Sequence, residues 1–308
     1  MKLPKNLRYV ASVALSFSLL IGSCVLLPTP AKATSVENTE IVENTESLEN
    51  TEIPSEPVET PLSYNEQVAL DFVEKPVVRT REEAIEKMKE LSRWYPALYY
   101  VYKNADLYPD GLLISGSGNP EMADFLYHYP TAERVVTGGF TEEEKAQDYP
   151  LFLQFDPRWG YSTYGTTGNM ASSGCGPACL SMAIFYLTRD ASQTPDKIAK
   201  YSMENGHYVP GAGTAWTLLS EYPKSLGLSS YQMKWNEASL KAQLDKGRIL
   251  ICSVRLGNFT SSGHFIVIYG YDENGFKVND PKCVYRSELR WTYEQIKNDI
   301  KATWTVGR

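Results

Sequence analysis

Three residues of this chain stand in contexts that suit one kind of reaction. Cys175 lies in Ser173-Gly174-Cys175-Gly176-Pro177-Ala178-Cys179-Leu180, between two glycines at the start of an apolar run that reads as a helix. A cysteine at a helix N-terminus gains from the positive end of the dipole and from unpaired backbone N–H groups, and both favour thiolate over thiol. Of the three histidines, His264 is placed at the mouth of an apolar strand, Gly263-His264-Phe265-Ile266-Val267-Ile268-Tyr269-Gly270. His128 stands in a helix-end context, and His207 follows Asn205-Gly206 in a loop. A histidine acting as base needs a partner on its second ring nitrogen. Asp280, in Lys277-Val278-Asn279-Asp280-Pro281, ends the strand that a hairpin brings back beside it. The chemistry open to such a set is attack by sulfur on a carbonyl carbon.

The residues around these three have a functional and a structural reading. Gly174, Gly176 and Gly263 leave room for a substrate backbone to come close. Gly211-Ala212-Gly213-Thr214-Ala215-Trp216 can wall a cleft with Trp216 as its apolar surface, although helix packing explains the same residues. Cys175, Cys179, His264 and Asp280 also have the types of a zinc set. A residue four positions along a helix points deeper into the packing face, so core burial accounts for Cys179. No metal or organic cofactor is implied.

Helices are expected near 175–188, 194–204, 214–226 and 237–246, followed by strands near 249–255, 263–270 and 275–279 and a late helix near 293–301. Asp272-Glu273-Asn274-Gly275 reads as the hairpin turn between the last two strands. Helices first and an antiparallel sheet afterwards is an α+β order.

With these pieces on the chain, residues 151–305 resemble the papain-like cysteine peptidase family that includes the bacteriocin-leader-processing domains and their free-standing bacterial relatives. The resemblance is carried by Gln154-Phe155-Asp156-Pro157-Arg158-Trp159-Gly160, the Gly174-Cys175-Gly176-Pro177 turn, Gly263-His264-Phe265-Ile266-Val267 and Asn279-Asp280-Pro281. Cys, then His, then Asp is that family's chain order. It implies a papain-like fold, with the catalytic helix packed on an antiparallel sheet, and thiol-dependent hydrolysis of a peptide or protein substrate. It also implies that Gln154 supplies a side-chain amide to an oxyanion hole with the Cys175 backbone N–H. The structural alternative is a polar residue capping the Asp-Pro-Arg-Trp turn. The chain departs from the leader-processing transporters in lacking a phosphate-binding Gly-x-x-x-x-Gly-Lys-Ser/Thr motif and a multi-span membrane domain. A double-glycine leader substrate therefore does not follow. Two other functions fit the same residues: a cell-wall peptide amidase or endopeptidase, and a surface binding module that lost its chemistry. The second would show a replaced catalytic residue, and none is replaced.

The remainder of the chain reads as delivery and support. Residues 1–33 carry Lys2, Lys5, Arg8 and Lys32, no acid, and an apolar run from Tyr9 to Leu27, the pattern of an export signal. Cleavage after Ala33 in Ala31-Lys32-Ala33 is favoured over lipid attachment at Cys24, because Val25-Leu26-Leu27 continues the apolar run past that cysteine. An uncleaved anchor is the third reading, since about 19 apolar residues nearly span a bilayer. Residues 34–61 form an acidic low-complexity linker that repeats Glu-Asn-Thr-Glu at 37–40, 43–46 and 49–52. Residues 62–149 read as a small helical accessory region, with Ser63/Glu66 and Thr80/Glu83 capping boxes and an Asn119-Pro120 helix start. Its Val68, Phe72, Ile85, Met88, Leu91, Tyr99 and Phe125 are expected to pack on the domain at 150–308.

The 308 residues are 43% hydrophobic, enough for a sizeable core, and carry a formal charge of −7. The linker holds eight of the acids, so the globular part is nearly neutral and has no basic surplus to grip nucleic acid. Four cysteines remain beyond Ala33, too few for a disulfide scaffold. The expected product is a monomer that is secreted or held at the cell surface or wall.

Overall fold

The computed structural model describes residues 73–166 and 168–308. The export signal, the acidic linker, the Ser63/Glu66 pair, Val68 and Phe72 lie outside the described residues.

Among the described residues, four helices precede position 130: α1 (Arg81–Leu91), α2 (Ala97–Lys103), α3 (Asp110–Gly118) and α4 (Ala123–His128). The α1 start is a capping box, in which Thr80 Oγ1 accepts from Glu83 N–H (3.2 Å) and Glu83 Oε2 accepts from Thr80 N–H (2.7 Å). A 3-10 turn, Pro120–Met122, links α3 to α4, and Asn119 Oδ1 accepts from Glu121 N–H at 3.2 Å. Met88, Leu98, Leu112, Leu113, Met122, Phe125 and Leu126 form one buried cluster with Leu153, Phe155, Tyr161 and Ala171 from beyond position 150. Short helices cannot bury enough apolar surface alone, and here Phe125 stacks on Tyr161 at 4.3 Å between ring centroids. One core therefore runs across the two stretches.

Next come α5 (Glu142–Ala146), α6 (Met170–Ser173), α7 (Cys175–Thr188), α8 (Pro195–Glu204), a two-stranded hairpin of β1 (Tyr208–Val209) and β2 (Gly213–Thr214), and α9 (Trp216–Ser225). The chain then runs through β3 (Ser229–Met233), α10 (Glu237–Leu244), β4 (Ile249–Arg255), β5 (Gly263–Asp272), β6 (Gly275–Asn279), α11 (Val284–Glu288), β7 (Arg290–Trp291), α12 (Tyr293–Ile296) and β8 (Ile300–Gly307). All neighbours in the six-stranded sheet, β3-β8-β4-β5-β6-β7, are antiparallel. Helix α7 is buried from Gly176 to Phe185, which is why its sequence is apolar on every side. It packs on the sheet face carrying Ile251, Phe265, Val267, Ala302 and Trp304. Leu240 of α10 covers the other face, with Leu250, Cys252, Val254, Ile266, Ile268 and Val278. The result is the α+β, papain-like fold.

The late helix expected near 293–301 ends at Ile296, and Ile300–Gly307 is instead a strand between β3 and β4. Both faces of that strand are buried, Ala302, Trp304 and Val306 on one side and Thr303 and Thr305 on the other. Apolar Ile300, Ala302, Trp304 and Val306 alternate along it with Lys301, Thr303 and Thr305, a period-2 pattern whose first two residues the helix expectation ran over. Among the described residues no helix is long and apolar enough to cross a membrane.

Candidate active site

The N-terminus of α7 meets the start of β5 and the end of β6. Cys175, the first residue of α7, is partly exposed, whereas Cys179, Cys252 and Cys283 are buried, and all four are free. Pairing of β4 with β5 places His264 beside Val254, and the turn at Asp272–Gly275 returns β6 so that Asp280 follows its last residue, Asn279. His264 is 6% exposed and Asp280 fully buried. His264 Nε2 and Asp280 Oδ1 are 2.7 Å apart. The imidazole's other partner is the Cys175 thiol at the start of α7.

The electrostatics follow from these contacts. Burial alone would push the Cys175 thiol up. The hydrogen bond and charge of His264, the Phe265 N–H and the charge of Lys282 outweigh burial, and the thiol ends below its ordinary value. Burial likewise opposes the His264 imidazolium, yet the charge and hydrogen bond of Asp280, with Cys175, raise it from 6.5 to about 8. Burial would raise the Asp280 carboxyl, but Arg286 and His264 hold it far below the usual carboxylate range. The other thiols are driven the opposite way, Cys252 to about 12, because burial dominates there.

Asp280 is held from every side. Its Oδ1 also accepts from Lys282 N–H (2.8 Å), its Oδ2 from Arg286 Nε (2.7 Å), and its own N–H donates to Ser287 Oγ (2.8 Å). The sequence carries no sign of Arg286 or Ser287 as partners, since a spacing of six or seven residues past a strand has no regular geometry. Gln154, 2% exposed, donates from Nε2 to the Ala171 carbonyl (2.5 Å) and from its backbone N–H to the Pro281 carbonyl (2.7 Å). It thus ties the segment before Cys175 to the one after Asp280. The Asp-Pro-Arg-Trp turn is closed by Asp156, whose Oδ1 accepts from Arg158 N–H at 2.9 Å.

The three glycines differ in what surrounds them. A Cβ on Gly174 would meet the Met170 carbonyl at 2.5 Å, and one on Gly176 would meet Thr214 Oγ1 at 2.6 Å, whereas Gly263 faces open space. Thr214, at the end of the β1–β2 hairpin, is fixed by Tyr164, whose hydroxyl lies 2.8 Å from Thr214 Oγ1. The hairpin therefore approaches the cysteine turn through Thr214. Trp216 packs edge-on against Trp304 at 5.1 Å under the Lys301 ammonium, and the residue is 36% exposed. Gly176→Ala is expected to force Thr214 aside and cost about 1–3 kcal/mol, read as a lowered Tm in thermal unfolding.

The model of the Peptidase_C39 like family matches residues 146–306. No curated protein matches the chain. Among solved structures, the chain is similar to the peptidase domain of Streptococcus ComA, described as a bi-functional ABC transporter involved in a quorum-sensing pathway. The identity is 20% over 52% of this chain and 99% of that one, with a TM-score of 0.38. It is also similar to the peptidase domain of Streptococcus mutans ComA, at 18% identity over 52% and 100% of the two chains, with a TM-score of 0.31.

Proposed function

The chain belongs to the Peptidase_C39 like family, and from that premise we propose that it is an exported thiol-dependent peptidase in which Cys175 is the nucleophile, His264 the acid and base, and Asp280 the group that orients the imidazole. The observation that carries the reading is the continuous chain Cys175, His264, Asp280, built on the one partly exposed thiol among the described residues. Sulfur attacks the amide carbonyl carbon, and the electron pair moves to oxygen. The first backbone N–H groups of α7 have no intrahelical acceptor and can receive that oxyanion. Gln154 Nε2 carries a second hydrogen beyond the one given to Ala171, and it serves the same oxygen. The C–N bond breaks as His264 passes its proton to the leaving amine. Water then gives a proton to His264, attacks the thioester and releases the acid, which regenerates the thiol. Export rests on residues 1–33, with a mature start at Thr34 favoured over a lipidated Cys24; mass spectrometry of the N-terminus separates the two.

The test is hydrolysis of a peptide library by the full chain, with and without iodoacetamide, against Cys175→Ala. Cleavage that iodoacetamide and the substitution both abolish supports the reading, and cleavage that survives both removes it. The pH profile adds a sign. Amine departure needs protonated His264, so kcat/KM is expected to fall as pH rises through about 8. Labelling of Cys175 by iodoacetamide needs only thiolate, so its rate is expected not to fall there. A labelling rate that drops in parallel with hydrolysis would assign the basic limb to some other group.

A further inference from the structure

Two side chains from the helical region reach across to the segment that holds Asp280. Glu121 Oε2 accepts from Val284 N–H at 2.7 Å and Glu121 Oε1 from Tyr285 N–H at 2.8 Å, while Asn119 Nδ2 donates to the Lys282 carbonyl at 2.6 Å. These residues are more than 160 positions apart in the chain. Within the segment, Asp280, Cys283, Arg286 and Ser287 form a closed set of bonds. Cys283 N–H donates to the Asp280 carbonyl (3.1 Å), Ser287 Oγ to the Cys283 carbonyl (2.7 Å) and Arg286 Nε to Asp280 Oδ2 (2.7 Å). Moving Val284 and Tyr285 therefore moves Arg286 and, with it, the carboxylate that faces His264.

The mount of this brace is rigid. Asn119 Oδ1 accepts from Glu121 N–H, Pro120 sets the turn, and α4 follows directly, with Phe125 stacked on Tyr161 and Tyr161 Oη donating to the Phe125 carbonyl at 3.0 Å. A carboxylate accepting two backbone N–H groups makes charge-assisted bonds, stronger than their neutral equivalents. Burial pushes the Glu121 carboxyl up, and the N–H groups of Tyr285 and Val284 and the charge of Arg286 pull against that rise.

We propose that Glu121, with Asn119, is a positioning residue for Asp280: it holds the 282–285 backbone so that the Asp280–His264 contact is kept, and the helices before position 130 are a permanent part of the peptidase site. The proposal rests on the functional reading above. It makes removal of the helical region inactivating, where a detachable inhibitory segment would be activating on removal.

The test uses the full chain and variants Glu121→Ala, Glu121→Gln and Asn119→Ala. Leu98→Ala serves as the control, opening a cavity in the same helical core away from the brace. Iodoacetamide labelling of Cys175 is followed across pH, with amide hydrogen exchange over residues 280–288. Glu121→Ala is expected to raise the labelling midpoint by about one pH unit, or about tenfold less thiolate below it, and to speed exchange at Val284 and Tyr285. Glu121→Gln keeps one carbonyl acceptor and is expected to recover part of the shift, while Leu98→Ala leaves the midpoint where it is. A Glu121→Ala midpoint equal to the parent's, when the parent's is low, overturns the brace and leaves the peptidase reading intact. A parent midpoint at the free-thiol value, unmoved by His264→Ala, overturns both.

Discussion

His264→Ala is expected to leave the protein folded and to lower peptide hydrolysis by on the order of 10⁴-fold, the loss of both the base and the acid of the reaction. The same substitution separates the two influences on Cys175. Burial pushes the thiol up, and His264 is the largest of the groups pulling it down. Without the imidazole, burial prevails, as it does at Cys252, which sits at about 12. Iodoacetamide labelling at pH 6.5 is therefore expected to fall by roughly tenfold or more and to recover only above about pH 9. The fall is smaller than the loss of thiolate alone, because a more basic thiolate is also the better nucleophile. The measurement is the pH dependence of labelling at Cys175, mapped by mass spectrometry in the parent and the variant. Equal labelling in the two at pH 6.5 would sink the catalytic pair.

Asp280→Ala is expected to fail in two ways at once. His264 loses the group that orients it and stabilises its cation, and Arg286, 5% exposed, is left as a buried cation without its carboxylate. Breaking such a pair from one side costs about 3–5 kcal/mol, so the variant should unfold at a clearly lower denaturant concentration. Asp280→Asn keeps the shape and removes the charge. Its kcat/KM should fall by about 10²- to 10⁴-fold, from the wrong tautomer and from an imidazolium without a counter-charge. The double variant Asp280→Asn/Arg286→Met removes the stranded cation as well. It is expected to regain most of the stability and none of the activity. Equilibrium unfolding and kinetics on all three variants give the two numbers separately. A double variant no more stable than Asp280→Asn would mean that Arg286 is not the source of the loss.

The contacts around Cys175 also assign different work to residues of similar appearance in the sequence. Trp216, an aromatic at a helix start, is fixed by Trp304 and Lys301, whereas Thr214, two positions earlier, fills the space beside Gly176. A threonine in a glycine-rich stretch carries no mark of that contact. Neither does Glu121, which looks like any exposed first-turn glutamate until Val284 and Tyr285 are found against it.

What the sequence determined by itself is local. The glycine-flanked cysteine before an apolar run, the histidine opening a β-branched strand and the aspartate closing the next are spacing signals, because helix starts and hairpins are set by residues near one another in the chain. The helix at 175–188 and the strands at 249–255 and 275–279 appear in the structure where they were expected. Tertiary structure decided the rest. It put Ile300–Gly307 between β3 and β4, a placement that the alternation of Ala302, Trp304 and Val306 with Thr303 and Thr305 marks as a strand but cannot assign to neighbours, since pairing depends on residues far away in the chain. It paired Arg286 with Asp280 and set Glu121 beneath them. Nothing in a charged residue's type or position tells whether it will be solvated or will meet a partner from a distant part of the chain, because that depends on which surfaces the core brings together.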